Sequence, residues 1–256
     1  MTKTMTVALV ATIAGSACSA RSHRTQVTDS GTPGEVQVWP GMEVATVADI
    51  PNEWVAPWKN GTFFLKDERV RPHRPQRLAS CADLSGVSES DVQLTLEWER
   101  YSLREKLIRC GGLAEVKSAH PARVSYVRDL VSMDDPGDQL PAAVSPAASM
   151  LPKPAAAPEA DASPTASRSW RSVDPTLTFD RTAARAGYQE LIVGGTYRGR
   201  LTWWAAGDFD GDGVEDVVMF SNLAPTTATN APNVMRAFVL TRRQAGGPVT
   251  VVRQIR

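Results

Sequence analysis

Histidine is scarce in this 256-residue chain, with three copies, and cysteine is equally scarce. Net charge is absent, because 28 Lys and Arg balance 28 Asp and Glu, so no basic surplus marks the chain for nucleic acid or for an anionic surface. G-x-S-x-G, H-E-x-x-H and a glycine-rich phosphate loop ahead of a helix are all missing. With so few histidines, general-base candidates are few, and the chain is not expected to be an enzyme. Long hydrophobic runs are also lacking. The clearest one, residues 5–14, is too short to span a bilayer as a permanent helix.

What is present centres on residues 205–220, AAGDFDGDGVEDVVMF. Asp208, Asp210, Asp212 and Asp216 fall at positions 1, 3, 5 and 9 of a tight loop, and the carbonyl of Val214 falls at position 7. That order of oxygen donors suits a hard cation such as calcium. Gly211 and Gly213 supply the backbone freedom such a loop needs, and Glu215 alternates away from the ligand set. The alternative is a solvated acidic turn, since Asp-Gly pairs are common turn formers. An EF-hand is excluded by position 12, which is Met219 rather than Glu, and by the β-branched exit Val217-Val218.

The run AAGDFDGDGVEDVVM resembles the FG-GAP/VCBS repeat, whose pattern is D-x-D-x-D-G-x-x-D followed by a strand. Asp208, Asp210, Asp212, Gly213 and Asp216 match it. The resemblance covers residues 198–220 and implies a calcium-binding loop between two strands of one sheet. It is a single copy, so a complete propeller is excluded and one blade-like unit or small sheet remains.

At the amino terminus, Lys3, the apolar run 5–14 and Gly15-Ser16-Ala17-Cys18 make an export signal. Cys18 after Gly-Ser-Ala is similar to a bacterial lipobox, with Gly15 where an aliphatic residue is usual, which implies lipidation at Cys18. Ordinary cleavage near Ala17 or Ala20 is the alternative. If Cys18 carries lipid, Cys81 and Cys110 remain as a disulfide pair in an oxidising compartment; reduced buried thiols are the other reading.

Five segments follow from composition: the signal 1–17, a disordered tether 18–35, an aromatic-rich and helical domain 36–133, a Pro/Ala linker 134–168 and an FG-GAP/VCBS-like β domain 169–256. RVRPHRPQR at 69–77 reads as an exposed basic loop. A helix is expected over 90–110, capped by Ser90 with Gln93 and stopped at Gly111-Gly112, then a short helix over 113–120 and a third from Pro121 through Val131. In the β domain, strands are expected at 191–197, 200–205, 217–220, 234–241 and 249–255, after a helix at 182–188. Trp203 and Trp204 point to opposite faces, so at most one is expected in the core.

The fold class expected is α+β: a small helical unit with one disulfide, a linker, and a small antiparallel β unit with a calcium loop. The expected function is that of an exported, lipid-anchored bacterial envelope protein that binds calcium and serves interaction with an envelope or extracellular protein or polysaccharide. A periplasmic hydrolase or accessory subunit with a structural calcium site is the alternative.

Overall fold

The computed structural model describes residues 35–66, 76–149, 168–181, 190–227 and 233–255. The export signal, Cys18, the tether up to residue 34, residues 69–75 of the basic loop and the expected helix at 182–188 lie outside them. Four helices are named: α1 Ile50–Val55, α2 Glu97–Ser118, α3 Arg128–Ser132 and α4 Trp170–Val173. The strands in chain order are β1 Gln37–Val38, β2 Phe63–Phe64, β3 Arg77–Leu78, β4 Thr178–Asp180, β5 Glu190–Gly194, β6 Tyr197–Gly207, β7 Asp216–Pro225, β8 Val234–Thr241 and β9 Thr250–Ile255. Mixed α and antiparallel β structure is therefore present, as is the Cys81–Cys110 disulfide, with Cα atoms 5.2 Å apart. Among the described residues no helix is long and apolar enough to cross a membrane.

Strands β4 to β9 form an antiparallel meander in sequence order, and β1 pairs with the part of β6 that β5 does not reach. Side chains alternate across this sheet, so each strand feeds two cores. Leu201, Trp203, Val217, Met219, Phe238 and Leu240 enter one, and Trp204, Val218, Ala237 and Val239 enter the other. Leu130, Leu140, Val144, Trp170 and Leu177 cover the first face; Met42, Ile50, Leu103, Leu113 and Val116 cover the second. Segments 36–133 and 169–256 thus share both cores. That sharing corrects the expectation that only one of Trp203 and Trp204 is buried. Both faces are covered, and a register shift between Trp203 and Ala205 adjusts the strand where the indoles diverge.

Residues 134–149 are not spacer. Leu140 and Val144 are fully buried, and Trp170 N–H donates to the Leu140 carbonyl at 2.7 Å. The prolines here serve short turns with few backbone donors to satisfy, which composition alone mistakes for a linker. Residues 150–167 lie outside the description.

The helix expected over 90–110 is displaced to α2. Ser90 sits instead in a short turn, and the α2 start is held by Glu99, whose carboxylate accepts from Thr95 N–H at 2.8 Å and Leu96 N–H at 2.9 Å. Gly111-Gly112 does not end the helix. A Cβ on Gly112 would lie 2.6 Å from the Trp204 ring, so the glycine admits the indole against the helix backbone. We expect Gly112→Ala to lower stability by about 1 kcal/mol, because overpacking of about 1–3 kcal/mol outweighs a helix-propensity gain of about 1 kcal/mol. Urea unfolding of the full chain measures it, and a stabilised variant would show that the indole gives way freely. The helix expected from Pro121 shortens to α3, because Arg123 and Val124 pair with the acidic loop instead.

Candidate metal centre

Strands β6 and β7 deliver the two ends of the loop 208–215, and its acids organise the turn between them. Asp208 accepts from Gly211 N–H at 2.7 Å and from Gly213 N–H at 2.9 Å. Asp216 accepts from Phe209 N–H at 3.0 Å. Gly211 and Gly213 have φ of 84° and 85°, the left-handed region that disfavours side chains.

The segment 120–124 braces the loop from outside. His120 and Asp208 exchange two backbone hydrogen bonds of 2.9 Å, Arg123 N–H donates to the Gly213 carbonyl at 2.8 Å, and Glu215 N–H donates to the Val124 carbonyl at 2.8 Å. Arg253, paired with Glu115, adds a bond of 2.9 Å to the Phe209 carbonyl. His120 therefore contributes backbone to this region.

Asp208, Asp210 and Asp216 bring carboxylate oxygens within 4.8 Å of one another. Asp208 and Asp216 are buried, and although Asp210 is exposed as a residue, its side chain is only 15% exposed, turned inward. Asp212 falls outside this group: its carboxylate accepts from Val214 N–H at 2.8 Å and faces Arg243 at 3.5 Å. Val214 forms a single parallel bridge with Val124 that uses the Gly213 carbonyl and the Glu215 N–H.

Asp216 carries the strongest sign of an incomplete shell. Its side chain is fully buried and its Oδ1 has no hydrogen-bond partner. Thr241 lies beside it and favours its charged form without completing a bond; Thr241 Oγ1 is likewise unpartnered. Burial first, then the charges of Asp210 and Asp212, push the Asp216 carboxyl up to about 6. Two unit charges about 5 Å apart repel by roughly 3 kcal/mol at an effective dielectric of about 20. A cation among these oxygens would reverse that penalty. The donor set contains only oxygen, which suits a hard cation, and ligands at about 2.4 Å from calcium stand at most about 5 Å apart.

Two neighbours of the loop escape a sequence reading. Glu215, expected to face away, is fully buried and takes a bidentate pair from Arg128, at 2.8 and 2.7 Å. Arg243 approaches Asp210 at 3.6 Å and Asp212 at 3.5 Å, with its own side chain 70% exposed. Arg128 has no periodic signal in sequence, while Arg243 could have been suspected from its place just after β8. No protein-family model matches the chain, and neither a curated protein nor a solved structure matches it.

Proposed function

We propose that the loop 208–216 binds one calcium ion and that the chain is an exported, lipid-anchored envelope protein serving interaction rather than catalysis. The observation that carries the metal reading is the convergence of Asp208, Asp210 and Asp216 around a buried, unpartnered Asp216 oxygen. Asp212 and the Val214 carbonyl complete the ligand set once the ion draws the loop tip inward. The FG-GAP/VCBS resemblance supports the same assignment through the order of residue types. Export and lipidation at Cys18 are supported by the sequence of residues 3–18, and the Cys81–Cys110 disulfide suits an oxidising compartment.

Calorimetric titration of calcium into the chelator-treated full chain tests the site. One ion per chain is expected, with Kd near the roughly 10⁻⁴ to 10⁻³ M of extracellular modules. Asp210→Ala should weaken binding, and absence of any calcium heat or dialysis uptake would remove the reading.

Arg243 occupies the electrostatic place of the cation on the loop's outer side. Arg243→Gln is therefore expected to tighten calcium binding about twofold to fivefold, in line with an exposed ion pair of about 0.2–1 kcal/mol. Unchanged affinity in the same titration would mean that Arg243 does not compete.

A further inference from the structure

A second concave site lies on the α2 side of the sheet, on the same two strands, β6 and β7, whose ends carry the acidic loop. Its floor follows two neighbouring cross-strand rows: Glu190, Thr202 and Phe220 in one, Arg200 and Asn222 in the other. Arg200, Thr202 and Trp204 alternate along β6 onto this one face, and Phe220 and Asn222 do the same along β7. Residues 41–43 and the α2 side chains Glu105 and Arg109 form the walls, enclosing about 250 Å³.

Glu190 and Arg200 form the polar end of this cleft. The Glu190 side chain is 7% exposed, yet its Oε1 has no hydrogen-bond partner among the described residues. Arg200 Nε stands 3.1 Å away as an ion-pair contact without hydrogen-bond geometry. Oε1 itself is closed off behind this ion pair, so a ligand in the cleft would meet the Arg200 guanidinium, on a side chain 61% exposed, and the small exposed remainder of the Glu190 carboxylate. The surrounding groups are fixed in advance. Asn222 donates to the Tyr101 hydroxyl at 2.8 Å and accepts from Asn233 at 3.0 Å, and Arg109 is tied to Glu43 and to Glu53. Phe220 stacks on the buried Trp204 with ring centroids 4.7 Å apart and planes 11° from parallel.

The chemistry of the lining selects the ligand. Arg200, Thr202 and Asn222 bring donors, while Glu190, Glu105 and Thr202 bring acceptors, all beside an aromatic floor. An amine would use only the acceptors and an anion only the donors. A hydroxyl both donates and accepts, so a ring carrying several hydroxyls on one edge and C–H groups on its face uses the whole lining. The volume lies below the roughly 300–1,000 Å³ of sites that enclose drug-sized molecules, so one ring is enclosed and any longer chain projects outward. We propose that this cleft binds a single saccharide unit, with Glu190 and Arg200 as its polar anchors and Phe220 as its apolar floor.

Saturation-transfer NMR on the full chain, with glucose, galactose, mannose, N-acetylglucosamine and N-acetylgalactosamine at millimolar concentration, tests this assignment, with putrescine and acetate as controls. At least one sugar should receive saturation, and neither control should compete with it. Arg200→Ala should weaken that sugar's binding about tenfold or more, and should also lower the melting temperature, because it strands the buried Glu190 carboxylate; sugar binding is therefore read at a temperature where the variant is folded. Glu190→Gln, which keeps the shape and removes the charge, should weaken it as well. Failure of all five sugars, displacement by putrescine or acetate, or binding undiminished in Arg200→Ala would each overturn the proposal.

Discussion

Glu215→Ala is expected to cost about 3 kcal/mol of folding stability, near the lower end of what is lost when one partner of a buried ion pair is removed. Both carboxylate oxygens of Glu215 are taken by Arg128, and the Glu215 side chain is wholly out of solvent while that of Arg128 is 23% exposed. Removal of the acid leaves the guanidinium with partial access to water, which places the cost low in the range. The pair also ties the exit of the acidic loop to α3, whose Leu130 and Val131 enter the core on one face of the sheet. Against a total stability of about 5–15 kcal/mol, the loss would be plain in urea unfolding of the full chain. Removing both charges in Glu215→Ala/Arg128→Ala should recover part of it, because the stranded charge is gone. A single-variant change below about 1 kcal/mol would show that the pair is not held in solution.

Glu215 also shows where the sequence stops being legible. Alternation along the strand places it away from the ligand set, and the structure agrees with that direction. Nothing local reveals that Arg128, 87 residues earlier, waits there. Strands β7, β8 and β9 were readable because they are rich in β-branched and apolar residues bounded by turn residues, and β8 lies at 234–241 in sequence and structure alike, whereas β4, Thr178–Asp180, was not expected. The β5–β6 hairpin was not readable either, since 191–197 reads as one apolar stretch although Gly195 turns the chain back, with φ of 124°. Gly111-Gly112 was misread for the opposite reason. A glycine pair signals a helix end only when nothing packs on it, and the packing partner, Trp204, lies far along the chain. The convergence of Asp208, Asp210 and Asp216 was the most legible feature, because these acids fall at odd positions of one tight loop. Sequence could not show that Asp212 stands apart from the group, since the pair with Arg243 depends on the β8–β9 connection. The cleft around Glu190 was invisible for the same reason: α2 and the residues before α1 wall a floor built from three strands.

Calcium is expected to raise the melting temperature of the full chain. The folded loop gathers Asp208, Asp210 and Asp216, whereas the unfolded chain does not, so the ion stabilises by RT ln(1 + [L]/Kd), about 2.7 kcal/mol at a hundredfold excess over Kd. Magnesium should give a smaller shift, because its shell of about 2.0–2.1 Å would demand that the oxygens close further than they stand. Asp216→Asn keeps the side chain's shape and its bond from Phe209 N–H while removing the buried charge. This variant should lose the calcium shift and, in chelator, melt no lower than the parent, since repulsion with Asp210 is relieved. The full chain is the right material, because residues 36–133 cover both faces of the sheet that carries the loop. Thermal unfolding of the parent and of Asp216→Asn, each in chelator and in millimolar calcium, is the most direct test of the metal site. The parent alone should show a higher transition in calcium; superimposable parent curves, or a shift that survives in Asp216→Asn, would rule out calcium binding at this loop.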